Sequence, residues 1–164
     1  MSFDKFIQTR TIAKYQSGSS LPSNVFPIYS LSSFIDFETD GYLVGIHFMF
    51  ASADGDIEGG AVDPTKPSGA IVAKVSGDVL NLPAGGNTTN YSGAQVLISH
   101  LEFPKDDGAS QFNPASRQTT IAYDADSKRI PIKSNDRLGV YICQNSNNNA
   151  QNFAYTLTAY FVRS

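Results

Sequence analysis

Hydrophobic and polar residues alternate along most of this 164-residue chain with a period of two, as strands that bury one face require. The alternation is cleanest in the last third. There Arg129-Ile-Pro-Ile-Lys-Ser-Asn-Asp-Arg-Leu-Gly-Val-Tyr-Ile sets Leu138, Val140 and Ile142 on one face. Ala154-Tyr-Thr-Leu-Thr-Ala-Tyr-Phe-Val sets Tyr155, Leu157, Ala159 and Phe161 on one face and Thr156, Thr158 and Tyr160 on the other. Together these segments read as the closing hairpin of a β-sandwich. The uncharged tract Gln144-Asn-Ser-Asn-Asn-Asn-Ala-Gln-Asn between them forms its exposed loop.

Earlier segments repeat the pattern. Ile7, Thr9, Thr11, Ala13 and Tyr15 share one side of an opening strand or extended arm; Gln8, Arg10, Lys14 and Gln16 share the other, with Ile12 as the exception. The strongest apolar run, Gly41-Tyr-Leu-Val-Gly-Ile-His-Phe-Met-Phe-Ala, has Tyr42, Val44, Ile46, Phe48 and Phe50 on one face and Leu43, His47 and Met49 on the other. It reads as a central strand covered on both sides. Further strands are expected at Ala70–Val75, Ala94–Phe103, Gln118–Tyr123 and Arg129–Ile132, separated by Gly, Pro, Asn and Asp clusters. Pro27 confines Val25–Tyr29 to an edge or a strand end. Helical spacing with caps is absent, and Phe34–Glu38 admits a single helical turn at most. Eight or nine strands imply an all-β fold, an antiparallel β-sandwich, jelly-roll-like ahead of immunoglobulin-like. Residues 1–16 form an extended N-terminal strand or arm, and residues 17–164 a single β-sandwich domain.

Composition narrows the partners. Only 16% of residues are charged, the net charge is −3, and the basic residues are scattered. Nucleic acid and anionic membranes need clustered Lys and Arg, so neither is an expected partner. Ser, Thr, Asn, Gln and Gly supply the polarity instead, which suits packing against protein. The single Cys143 gives no disulfide framework. The N-terminus lacks the apolar core of a signal peptide, so the reading is synthesis in a cytoplasm.

Candidate chemistry is sparse. Asp54-Gly-Asp-Ile-Glu-Gly carries carboxylates at Asp54, Asp56 and Glu58 with glycine sixth, as a calcium loop does. The match then fails, because Thr65 stands where a bidentate Glu belongs. A polar turn after the long apolar strand is the competing explanation, and calcium remains the only cofactor with any motif. His47 and His100 fall inside expected strands without a second ligand at metal spacing, and read as histidines packed within or between sheets. Cys143 closes a strand with no base to activate it. No nucleophile elbow or phosphate-cradling loop occurs, and no catalytic residue is assigned.

At Ile130-Pro-Ile-Lys-Ser-Asn-Asp-Arg-Leu-Gly-Val-Tyr-Ile, followed by a hairpin and Tyr-Thr-Leu-Thr-Ala-Tyr-Phe-Val, the chain resembles the jelly-roll proteins that decorate viral and phage particles. Tumour-necrosis-factor-like trimers share this C-terminal organisation. Asn135 stands where the turn usually has glycine, and Asn tolerates a left-handed backbone. The resemblance implies a non-enzymatic virion structural protein, a capsid decoration or cement subunit. It would be made in the host cytoplasm, located in the virion, homotrimeric and in contact with other virion proteins. The interaction residues expected are Asn145, Asn147, Asn148 and Asn149 in the loop and Thr156, Thr158 and Tyr160 on the strand. An arm at residues 1–16 could also add a strand to a neighbour's sheet. A carbohydrate- or receptor-binding module, such as a fibre tip using the Asn-rich loop, is the alternative.

Overall fold

A computed structural model describes residues 6–16, 28–52, 58–59, 69–77, 79, 81–83, 90–91, 93–102, 116–123, 128–143, 149–150 and 153–164. The strands are β1 (Gln8–Gln16), β2 (Ile28–Asp36), β3 (Gly41–Ser52), β4 (Glu58–Gly59), β5 (Gly69–Ser76), β6 (Asn81–Pro83) and β7 (Asn90–Tyr91). They continue with β8 (Ala94–Glu102), β9 (Ser116–Ala122), β10 (Ile130–Ile132), β11 (Asp136–Cys143), β12 (Asn149–Ala150) and β13 (Phe153–Arg163).

Two antiparallel sheets make the sandwich. The first runs β1-β13-β3, with β9 and β10 sharing the far side of β3. In it β9 pairs Gly45–Ala51 and β10 pairs Gly41–Leu43. The second runs β6-β2-β11-β5-β8-β7. The long strands pair in nested fashion: β1 with β13, β2 with β11, β3 with β9 and β10, and β5 with β8. The chain is thus a long hairpin doubled on itself, its successive pairs falling alternately in the two sheets. Additional pairings of β13 with β3 and of β11 with β5 complete each sheet.

Between the sheets, Phe48, Phe50, Leu157 and Phe161 of the first meet Ile35, Val72, Leu138 and Val140 of the second. Each such side chain contributes roughly 1.5–3 kcal/mol when fully buried. Phe37 packs against Phe161 with ring centroids 5.1 Å apart. A polar bridge also crosses the core edge: the buried Tyr155 phenol on β13 donates to Ser32 Oγ of β2 at 2.7 Å and bonds the Ser33 hydroxyl. Burial raises that phenol's pKa.

The inward faces of β11 and β13 are those the alternation predicts, but the two strands do not form a hairpin. β11 lies in the second sheet and β13 in the first. Each has one apolar face, and two such faces satisfy each other across a core as well as side by side. Alternation alone does not separate the two arrangements.

The β3 faces also differ from the simple parity. Tyr160 of β13 pairs with Gly45 while Phe161 pairs with Leu43, so Val44 is an extra residue in a bulge. The bulge brings Leu43 into the core with Ile46, Phe48 and Phe50, and turns Tyr42 outward with Met49. β3 is central in its sheet, yet covered on one side only. Phe34–Asp36 continues β2 rather than forming a helical turn.

The outer face of the second sheet is covered by the chain's own segment around β6. Val79 and Leu82 pack there against Tyr29, Ile71, Ala73, Val75 and Tyr141, a second, smaller core. Tyr141 Oη donates to the Val79 carbonyl at 2.7 Å.

The polar side of β1 has a structural use. β6 pairs only Ile28–Ser30 of β2. Beyond that, Lys14 Nζ donates to the Ser32 carbonyl at 2.6 Å and an Arg10 Nη1 donates to the Asp36 carbonyl at 2.7 Å. Charged side chains thereby occupy a sheet edge open to foreign strands. Ile12, the exception in the pattern, packs against the core between them.

The turn before β11 is pinned by two carboxylates. Asn135 adopts φ 75°, and the buried Asp136 accepts from Lys133 N at 2.9 Å and Ser76 Oγ at 2.8 Å. Asp40 accepts from Ser134 N at 2.8 Å and Lys133 Nζ at 3.2 Å.

Candidate functional site

The expected loop site falls largely outside the described residues: Asp54, Asp56, Asn145, Asn147 and Asn148 all do so. Glu58 and Asn149 are described in backbone. Asn149 pairs with Gly59 and Ala150 with Glu58, forming the short β4–β12 ladder. β3 and β13 are neighbours whose ladder reaches Ser52↔Phe153, and Glu58 and Asn149 lie a few residues beyond that ladder in sequence. Glu58–Gly59 and Asn149–Ala150, far apart in sequence, thus meet in one short ladder. Among the described residues, no three His, Cys, Asp or Glu groups come together as a metal site.

Thr156, Thr158 and Tyr160 all face outward from the first sheet, on the side away from the core. The register shows what surrounds them. One row is Thr9, Tyr160, Gly45 and Ala122. The next is Thr11, Thr158, His47 and Thr120, and the third Ala13, Thr156, Met49 and Gln118. At its two ends the face continues through Tyr15 paired with Ala154 and through Val162 paired with Tyr42.

No charged residue occupies these rows. The charges on β1, β9 and β13, namely Arg10, Lys14, Arg117 and Arg163, all fall at the opposite parity. Large side chains in this face are left in solvent: Tyr15 is 60% exposed, Tyr160 38% and Met49 38%. Thr11 and Thr158 hydroxyls bond each other at 3.1 Å across the β1–β13 pair, ordering the middle row. His47 is half-buried in that row, on the outer surface rather than between the sheets. The side chains of His100 and Cys143 lie outside the description, and their strands place them in β8 and at the end of β11.

Sequence reasoning found the β13 contribution to this face and missed those of β1, β3 and β9. The available signal was the absence of charge at one parity in several strands, which becomes a surface only once the strand order is known. β1 itself is a resident edge strand: Gln8–Gln16 pairs along its whole length with β13 of the same chain.

The other outer face contrasts with this one. It carries the Arg137–Asp36 ion pair at 2.8 Å, with the Arg137 guanidinium 4.3 Å from the Phe34 ring centroid. Beside it lies the smaller core that Val79 and Leu82 join.

Geometry thus defines an antiparallel all-β sandwich with one open, uncharged, hydroxyl-rich sheet face. No protein-family model, curated protein or solved structure matched the chain.

Proposed function

We propose that this chain is a non-enzymatic structural subunit of a virus particle, a capsid decoration or cement protein that works through protein–protein contacts. The observation that carries the reading is the outer face around Thr158 and Tyr160. Tyrosine and methionine exposed on a rigid sheet with no charge among them match the composition of interface centres, where charged residues are depleted and aromatic residues and Met enriched. The nested strand pairing supports a jelly-roll sandwich, an architecture common in capsid proteins. Such a subunit needs a stiff body and an adhesive face, and no reacting group.

The test is association with particles from the chain's own source. Copurification at stoichiometric copy number, weakened by Tyr160→Asp with the fold intact, is expected. A monomer absent from particles sinks the reading.

A carbohydrate- or receptor-binding role draws its support from the β4–β12 ladder, in which Asn149 stands opposite Gly59 and Ala150 opposite Glu58. The ladder brings an acidic and an amide residue into neighbouring strands, and carboxylate and amide groups suit hydroxyl-bearing ligands. Saturable glycan-array binding, lost on replacing residues 144–152, would favour it over the structural role.

A further inference from the structure

We infer that the open face of the first sheet pairs with the same face of a second copy, about a two-fold axis beside Thr158 and His47. This rests on the structural-subunit reading above and names the partner of its contact face.

Three observations select a second copy. The first concerns charge. A surface that meets itself about a two-fold axis brings each group beside the axis against its own copy, so a fixed charge there is repelled by its mate. The four-strand face has none, although Arg10, Lys14, Arg117 and Arg163 stand on the same strands at the other parity.

Hydrogen bonding supplies the second. The polar groups in the face are mainly hydroxyls, including those of Thr11, Thr120, Thr158 and Tyr160. A hydroxyl both donates and accepts, so it complements its own copy, which a carboxylate or an ammonium does not. The mutual Thr11–Thr158 bond shows this pairing within one chain.

The third is size. Four strands about 4.8 Å apart and about nine residues long at ~3.4 Å each span a plan of roughly 600 Å². The corrugated accessible surface over that plan is of the order of the ~800 Å² that each partner buries in a standard interface.

The symmetry follows from the contrast between the two outer faces. A ring would need this face to meet a different one of matching character. The outer face of the second sheet carries the Arg137–Asp36 pair and its own strap of Val79 and Leu82. Among the described residues it offers no uncharged counterpart, whereas the face itself does. Sheets packed face to face in this way would form a four-layer dimer.

Sedimentation equilibrium on the full chain tests the inference. The expected species has twice the 17.7 kDa mass of one chain. Thr158→Lys and Thr158→Glu, each folded by circular dichroism, are expected to weaken dimerisation at least about tenfold at low salt. An equimolar mixture of the two restores the dimer. A wild-type monomer, a trimer, a Thr158→Lys dimer of unchanged affinity, or a mixture that stays monomeric each overturns it. Should Thr158→Lys fail to fold, Tyr160→Asp serves in its place, and unchanged dimer affinity again overturns the inference. Particle copurification, run in parallel, separates the two readings: a monomer that still binds particles defeats only the dimer, and a dimer absent from particles defeats only the virion role.

Discussion

Tyr141 of β11 donates its phenolic proton to the carbonyl of Val79, 2.7 Å away, and this bond fastens the strap that covers the second sheet. Tyr141 is fully buried. Removing the hydroxyl with Tyr141→Phe leaves the ring in place and loses one hydrogen bond, about 1 kcal/mol. Urea unfolding is expected to show a lower midpoint with an unchanged slope.

The same phenol sets an alkaline limit. Burial pushes its pKa up from the ordinary 10.0 to about 12, with the nearby Arg137 charge opposing. A pKa raised on folding means that the folded state holds the proton more tightly than the unfolded one. The associated stability is complete below pH 10 and is lost as pH rises toward 12. Tyr141→Phe should flatten this part of the pH–stability profile. An equal alkaline loss in both proteins would count against Tyr141 as its source.

Gly139 makes room for that ring. A Cβ there would lie 2.6 Å from Tyr141 Cε2 and 3.0 Å from Leu31 Cδ1. Both neighbours are packed, so Gly139→Ala is expected to destabilise by roughly 1–3 kcal/mol. Gly41→Ala should be worse, because its Cβ meets the Val162 backbone oxygen and the Phe161 ring. Thermal melts of the two variants give the order directly.

Two acidic residues beside basic partners should respond very differently to removal. Asp136 is buried, accepts from Lys133 N and Ser76 Oγ, and lies 3.9 Å from Lys74 Nζ. Asp136→Ala strands these donors and is expected to lose roughly 2–3 kcal/mol. Asp36 pairs with Arg137 in solvent, so Asp36→Ala should cost less than about 1 kcal/mol. Chemical denaturation distinguishes the two, and equal losses would contradict the assignment.

Asp40 supplies an acid-side dependence. Hydrogen bonding from Ser134 N, then from the Lys133 side chain, holds its carboxyl below the usual range, against a smaller opposing effect of burial. A depressed folded pKa stabilises above the unfolded value and is lost as pH falls through the folded one. Asp40→Asn should therefore make the protein less sensitive to acid at low ionic strength, as read from unfolding midpoints along a pH series.

The strand faces were legible in the sequence wherever the backbone kept strict parity. Tyr155, Leu157, Ala159 and Phe161 are buried as their spacing requires. Parity failed at Val44, since a bulge depends on the partner strand, and Leu43 changed sides with it. Ile12 looked anomalous among polar neighbours because those neighbours, Arg10 and Lys14, serve carbonyls of the other sheet. The open, uncharged face was the least legible part. Thr120, His47, Thr158 and Thr11 form one row only after strands from four separate regions are laid side by side. Local spacing contains the row's chemistry without its order.

The pairing of Gln8 with Phe161 ties one of the first described residues to one of the last. During synthesis β1 emerges early and has no sheet to join until β13 has been made, so closing that ladder bears a large loop-closure entropy. The consequence is one of timing. The open outer face, built on β1, β13, β3 and β9, does not exist until β13 has been made and paired.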